Sequence, residues 1–299
     1  MLRDPAFRRF DVLPLTGAMG ADIRGVDLAQ DQSEETIAEV RRALEQHLVV
    51  AIRDQSLDAT SLHKVARRFG PFSGNPVHQP IEGFDDIVRF VREPGDSDRV
   101  IGDHWHMDLA WMPKPPGIVM LYGESVPPVG GDTCFTSLVQ AYRALSPAMQ
   151  DMLHRLTGIH SARGVYSINA RSTRLGLSID QEKLDSIETE HPVVCVQPGT
   201  GRRYVLVNSV ITRFKGMTEA ESKPIIDYLL GVAIRPEFMC RVRWENGTLL
   251  LWNNPLVLHT AIDDYRSYRR VTYRTTVEGW TQIAAPVADT ARGAGSQAA

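Results

Sequence analysis

Residues 100–111, VIGDHWHMDLAW, set His104, His106 and Asp108 at alternate positions. On an extended strand that spacing turns all three side chains to one face, so imidazole nitrogens and a carboxylate oxygen can reach one point. Two histidines and one carboxylate on one face of an octahedron are the ligand set of non-haem Fe(II) oxygenases, whose opposite face stays open for a cosubstrate and O2. Taken alone, His-x-Asp is a weak signal, because such a pair on a surface strand is ordinarily a solvated face. A third ligand is needed, and the local pattern leaves open which of the two histidines would serve.

Far downstream, LLLWNNPLVLHTAIDDYRSYRRVTYRTTVEG supplies a lone His259 at the end of an apolar run, followed by Arg270 and Arg274. On a strand, Arg270, Thr272 and Arg274 share one face. Guanidinium groups projected into a protein interior are costly unless they meet an anion, and Arg grips a carboxylate through two parallel hydrogen bonds. The pair therefore points to a carboxylate ligand. The competing reading of Arg274 is a surface ion pair with Asp263 or Asp264.

The elements that must position these groups read mainly as strands with flanking helices. DQSEETIAEVRRALEQH has Ser33 as N-cap and Ile37, Val40 and Leu44 at helical spacing, and it runs into LVVAIRD, a buried-strand pattern. DATSLHKVARRFG places Leu62, Val65, Ala66 and Phe69 on one helix face and closes at Gly70. SPAMQDMLHRLTG predicts a helix capped by Ser146, with Pro147 at its first position and Gly158 at its end. TEAESKPIIDYLLG opens on a Thr218–Glu221 capping box, with Pro224 obscuring its start. IVMLYGES, HPVVCVQP, RRYVLVNS, MCRVRWENGTLLLWNN and RRVTYRTTVEG read as strands, and Asn246-Gly247 predicts an antiparallel hairpin between its flanking runs. Many strands without regular βαβ alternation, and without GxGxxG or GxxxxGK, predict an antiparallel barrel or double-stranded jelly roll.

The 299 residues, 43% of them hydrophobic, suffice for a sizeable core. With 33 basic and 36 acidic residues and no block of like charge, nothing marks a nucleic-acid or anionic-membrane partner. No apolar run is long enough to span a bilayer, and the charged start does not read as a signal peptide. Cys134, Cys195 and Cys240 are odd in number and lack CxxC spacing, which suggests a reducing compartment and, with the rest, a cytoplasmic protein. One domain over residues 1–282 is expected, with 283–299 a loose tail of small residues.

At this point the chain resembles the Fe(II)- and 2-oxoglutarate-dependent dioxygenases related to taurine dioxygenase and 2,4-dichlorophenoxyacetate dioxygenase. WHMD resembles the family's W-H-x-D, GGDTCFTS its G-G-D-T segment, and the LWNN, His259 and Arg270–Arg274 block its distal His and Arg motif, in family order. LTGAMGADIRGVDL, ARRFGPF and RPEFMCRVRW extend the likeness over roughly residues 10–280. The resemblance implies a jelly-roll core, Fe(II) as metal, 2-oxoglutarate and O2 as cosubstrates, and assembly as a homo-oligomer, a dimer or tetramer. Residue by residue, His106, Asp108 and His259 match the iron ligands, and Thr133 and Arg270 match the residues holding the distal carboxylate of 2-oxoglutarate. His104 stands where the family places no ligand, so it is expected beside the metal or in the pocket wall. Trp105, Trp111 and Trp252 are expected to pack around the centre.

Arg274 matches the family residue that fixes the acidic group of the primary substrate, which implies a small organic anion. RVIGDHWHMD, GMTEAESKP and CRVRW look most like the dioxygenases that cleave aryloxypropionates by hydroxylating the carbon next to the ether oxygen. The resemblance departs from taurine dioxygenase itself: Asn75 and His78 stand where that enzyme carries a His and a Tyr, and Gly102 where it carries an Asn. Asn75 and His78 are thus candidate substrate contacts, and alkyl sulfates, sulfonates and natural-product acids are alternative substrates. The loop around His78 and the segment SARGVYSINARSTRLGLSID are the expected specificity loops. A jelly-roll binding protein without turnover is the non-enzymatic alternative, and the complete triad with both arginines argues against it.

Overall fold

Every residue of Thr248–Asn253 is buried, and the two faces of this run go to different places. Leu249 and Leu251 enter an apolar cluster with Val50, Ile52, Leu44 and Leu62, while Leu250 and Trp252 enter another with Phe135, Val242 and Leu258. Side chains alternate across a strand, so a central strand covered on both faces reads as a continuous apolar run.

In the computed structural model, which describes residues 3–96, 100, 102–163 and 181–286, this run is the thirteenth strand. The elements begin with β1 (Asp11–Pro14), β2 (Ala21–Arg24), α1 (Glu34–His47), β3 (Val49–Ile52), α2 (Ala59–Phe69), β4 (Val88–Arg92) and β5 (Ile118–Ser125). There follow β6 (Thr133–Ser137), α3 (Leu138–Arg143), α4 (Pro147–Leu153), β7 (Thr157–Ser161), α5 (Gln181–Asp185), β8 (Glu188–Pro192), β9 (Val194–Val196) and β10 (Arg203–Val205). The chain continues through β11 (Ile211–Phe214), α6 (Glu219–Ala233), β12 (Met239–Val242), β13 (Thr248–Asn253), β14 (Val257–Ala261), β15 (Arg270–Val277) and β16 (Ile283–Ala284).

The seven-stranded sheet runs β1-β2-β3-β13-β5-β15-β4, with only β2 and β3 paired in parallel. The antiparallel sheet β12-β6-β14 contributes Phe135, Cys240, Val242, Val257 and Leu258 to the cluster that Leu250 and Trp252 enter. Two further three-stranded sheets, β10-β9-β16 and β11-β7-β8, add Val194, Tyr204, Ile211 and Phe214 to the same cluster. This is the jelly-roll core, with α1 and α2 covering the outer face of the large sheet through Ile37, Val40, Leu44, Leu62, Val65 and Phe69. Ser33 caps α1 by accepting from Thr36 N, and the Thr218–Glu221 capping box opens α6.

Three local expectations are corrected, and the start of α6, which Pro224 left open, is settled at the capping box. The runs flanking Asn246-Gly247 do not pair with each other: β12 joins β6, and β13 inserts between β3 and β5. Gly247, at φ +80°, instead presses its backbone against Gln55, where a Cβ would lie 2.4 Å from the carbonyl oxygen, and Asn246 Oδ1 accepts from Val126 N. The turn therefore joins two sheets. The helix begun at Pro147 ends at Leu153, and Gly158 is a strand residue facing Ile211, whose Cδ1 a Cβ would meet at 2.7 Å. Helix α6 runs through Pro224, which is exposed, so the carbonyl left without an amide donor can meet water. At the expected loose tail, Ile283 and Ala284 pair with β9, and Ala285 N donates to Val194 O. Residues 287–299 lie outside the described residues, as does most of the expected specificity segment, 164–180. The three cysteines are free, and burial pushes the Cys195 and Cys240 thiols up to about 12.

Candidate active site

His106 and His259 face each other across an isolated antiparallel bridge: His106 N donates to His259 O at 3.0 Å and His259 N to His106 O at 2.9 Å. Side chains of directly opposed residues project together, and the two imidazole centroids are 4.1 Å apart. The expectation of an extended strand through His104, His106 and Asp108 is corrected to this single bridge. After it the chain turns, with Leu109 at φ 51°, and the turn brings the Asp108 carboxylate close to both imidazoles.

The ligand atoms of His106, Asp108 and His259 all lie within 4.8 Å of one another. Nε2 of His106 is 3.7 Å from Asp108 Oδ1, and Nε2 of His259 is 3.8 Å from Asp108 Oδ2. Nδ1 of His106 is 2.8 Å from the His104 carbonyl; as the donor there, it leaves the Nε2 lone pair facing the carboxylate. Burial lowers the pKa of both histidines, His259 to about 3, so both are neutral imidazoles with a lone pair to give. Burial alone would raise the Asp108 carboxyl, but the opposing effects, led by the Arg274 charge, more than offset it, and the group stays below its ordinary value. A carboxylate and two neutral imidazoles converging on one point fit a divalent metal of the Fe(II) type.

The position of Asp108 is enforced by Asn254, the second Asn of the LWNN run, for which local spacing predicts no task. Its Oδ1 accepts from Asp108 N at 3.1 Å, while its Nδ2 donates to Asp108 O at 3.0 Å and to Pro116 O at 3.1 Å. Asn254 is fully buried and clamps the Asp108 backbone on both sides. The same turn is held from β8, where Thr189 Oγ1 donates to Trp111 O and His191 Nε2 lies 3.1 Å from both Ala110 O and Met112 O. Gly102, at φ +78°, passes so close that a Cβ would lie 2.7 Å from His106 Cε1.

His104 contributes its backbone carbonyl, and its side chain is 49% exposed. Trp252 packs 5.0 Å from the His259 ring, with Phe135 stacked at 5.6 Å, Trp105 is half-buried against the same core, and Trp111 is buried nearby with Leu109. Arg274 and Arg270 both lie on β15 and both are buried at 8% exposure. Arg274 Nη2 sits 2.9 Å from Asp108 Oδ2, which replaces the alternative pairing with Asp263 or Asp264; Asp263 pairs with Arg92 and Arg266. Arg270 makes no ion pair among the described residues, and its Nε has no hydrogen-bond partner there. Its guanidinium carbon lies 5.1 Å from the centre of the Trp244 ring and 5.4 Å from that of Tyr265, and Trp244 Nε1 donates to Thr133 Oγ1 at 3.0 Å. His78 is buried on the same side, its pKa lowered to about 4 by burial and by the Arg274 charge, with its ring edge-on to Phe90. Asn75 uses its Oδ1 to accept from Val77 N and His78 N, so it shapes the loop that carries His78.

The model of the family described as "Taurine catabolism dioxygenase TauD, TfdA family" matches residues 11–276. The chain belongs to this family. Its TauD/TfdA relatives include an alpha-ketoglutarate-dependent sulfate ester dioxygenase of Pseudomonas putida, 31% identical over 92% of this chain and 91% of that protein. An (S)-phenoxypropionate/alpha-ketoglutarate-dioxygenase of Sphingobium herbicidovorans is 26% identical over 90% of this chain and 95% of that protein. The crystal structure of a taurine dioxygenase from Burkholderia xenovorans superposes with a TM-score of 0.77 at 29% identity, covering 93% of each chain. As a TauD/TfdA member the protein is an Fe(II)- and 2-oxoglutarate-dependent dioxygenase with a jelly-roll core. No helix among the described residues is long and apolar enough to cross a membrane.

Proposed function

We propose that His106, Asp108 and His259 hold the iron, that Thr133 and Arg270 take the distal carboxylate of 2-oxoglutarate, and that Arg274 with His78 and the Asn75 loop receives the primary substrate's anionic group. The observation that carries this reading is the pairing of a converging His-Asp-His set with a buried Arg270 that has no acidic partner among the described residues. A buried guanidinium without an anion is expensive, and a dicarboxylate cosubstrate supplies one. Iron with 2-oxoglutarate and O2 supplies the oxidant for a C–H bond, the cosubstrate leaving as succinate and CO2.

The chain's own groups orient the substrate. Arg274, close to Asp108, fixes an anion near the metal position, which places the carbon attached to that anionic end within reach. The substrate is a small organic anion whose reactive C–H adjoins an ester or ether oxygen. Hydroxylation there gives a carbon bearing both O–H and O–R, which loses sulfate or a phenol and becomes a carbonyl. An alkyl sulfate is favoured over an aryloxypropionate by the higher identity to the sulfate ester enzyme. The protein acts in the cytoplasm, as one domain assembled into a homo-oligomer.

The test is a panel of alkyl sulfates, 2-aryloxypropionates, alkyl sulfonates and natural-product acids with Fe(II), 2-oxoglutarate and O2. Succinate should form in step with sulfate or phenol for one anionic class. With the corresponding uncharged alcohols and esters run beside the panel, coupled succinate formation with one of these and with none of the anions would overturn the reading.

A further inference from the structure

Trp244 sits in the loop between β12 and β13, is 3% exposed, and touches both residues assigned to the cosubstrate's distal carboxylate. Its indole N–H donates to Thr133 Oγ1 at 3.0 Å. The face of its ring lies 5.1 Å from the Arg270 guanidinium carbon, with Tyr265 also against that guanidinium. A hydroxyl that accepts from an indole N–H keeps its own hydrogen to donate, and Thr133 has no acceptor for that hydrogen among the described residues' side-chain bonds. The Arg270 guanidinium, in contact with two aromatic rings and with its Nε lacking a hydrogen-bond partner among the described residues, has N–H capacity left for an anion and is restrained by the rings before one arrives.

The protein makes room for the indole deliberately. Gly123 on β5 has its Cβ position 3.1 Å from Trp244 Cε3, so a side chain there would displace the ring. On either side the loop is pinned: Arg53 Nη1 donates to Arg243 O at 2.8 Å, and Glu245 N to Thr248 Oγ1 at 3.2 Å.

We infer that Trp244 is a positioning residue for the 2-oxo acid cosubstrate: its N–H sets Thr133 as a donor and its ring sets the plane of Arg270. This rests on the reading that Thr133 and Arg270 take the distal carboxylate. The discriminating ligand is pyruvate, which keeps the 2-oxo acid head and lacks the second carboxylate. Trp244→Phe keeps a stacking ring and removes the N–H.

Anaerobic titration of Mn(II)-loaded protein should show Trp244→Phe weakening 2-oxoglutarate about tenfold while pyruvate and the metal change less than twofold. In a Thr133→Val background the same change should add nothing further. As a check on the unaltered ring, the indole N–H resonance that Thr133→Val displaces in Zn(II)-loaded protein should move on adding 2-oxoglutarate and not pyruvate. Equal weakening of both 2-oxo acids by Trp244→Phe, undiminished weakening in the Thr133→Val background, or an indole resonance indifferent to 2-oxoglutarate would overturn the inference. If the wild type bound 2-oxoglutarate no better than pyruvate, the assignment of Thr133 and Arg270 would fall first, and the inference with it.

Discussion

The Arg274 guanidinium and the Asp108 carboxylate are in contact, Nη2 to Oδ2 at 2.9 Å, with both side chains largely buried. This one cation lowers the pKa of the carboxyl proposed as an iron ligand, and in the proposed assignment it also receives the primary substrate's acid. Arg270, on the same strand, makes no ion pair among the described residues and lies against the Trp244 and Tyr265 rings.

The two arginines should therefore fail differently. Truncating one member of a buried charged pair costs about 2 to 5 kcal/mol, or roughly thirtyfold or more in affinity. Arg270→Ala should raise the Michaelis constant for 2-oxoglutarate by that factor. Arg274→Ala should raise that of the primary substrate while slow, uncoupled succinate formation continues. Steady-state kinetics in both substrates decides it: an Arg274→Ala enzyme weakened only toward 2-oxoglutarate would contradict the assignment.

Asn254→Ala should loosen the metal without touching any ligand. The substitution strips partners from the part-buried Asp108 N and Asp108 O and from the buried Pro116 O, and leaving a buried group unpaired costs about 1 to 3 kcal/mol. The expected result is a lower melting temperature and Fe(II) affinity reduced at least tenfold, measured by competition with a chelator. Unchanged iron affinity in a folded Asn254→Ala protein would show that the clamp is not what holds Asp108.

This residue also marks where sequence reading stops. The strand Ile118–Ser125, the caps at Ser33 and Thr218 and the apolar faces of the first two helices follow from local spacing, because each is decided by neighbours within a few positions. The proposed ligands became legible through family-like motifs rather than period, since Asp108 lies in a turn while His106 and His259 are bridged. Asn254 and Asp108 are 146 positions apart, and Trp244 and Thr133 are 111 apart, so no local spacing announces either pair. The Asn246-Gly247 turn failed for a related reason. A turn signal reports that the chain reverses, while the neighbours of β12 and β13 are chosen by β6, β3 and β5 across the core.

His160 on β7 carries a pH dependence of stability separate from catalysis. It is fully buried, and burial, with the His191 ring 5.0 Å away, pushes its pKa down from 6.5 to about 3. As the pH falls, the unfolded chain takes up this proton first. The stabilisation is therefore complete above pH 6.5 and is lost as the pH falls from 6.5 toward 3, by up to about 1.4 kcal/mol per pH unit. Urea denaturation between pH 7 and pH 5 should show His160→Asn losing less stability over that range than the wild type. An identical pH slope in the two proteins would mean that His160 does not carry the effect.

The central claim is that His106, Asp108 and His259 form the iron site and that exposed His104 does not. Anaerobic protein with Fe(II) and 2-oxoglutarate should develop the weak visible absorption of the metal-bound 2-oxo acid, and admitting O2 should discharge it with release of succinate. His106→Ala, Asp108→Ala and His259→Ala should each lack both the band and the succinate, and His104→Ala should keep the band at near wild-type iron affinity. A folded His104→Ala protein that loses iron as severely as His106→Ala, or a band that persists in His259→Ala, would contradict the account.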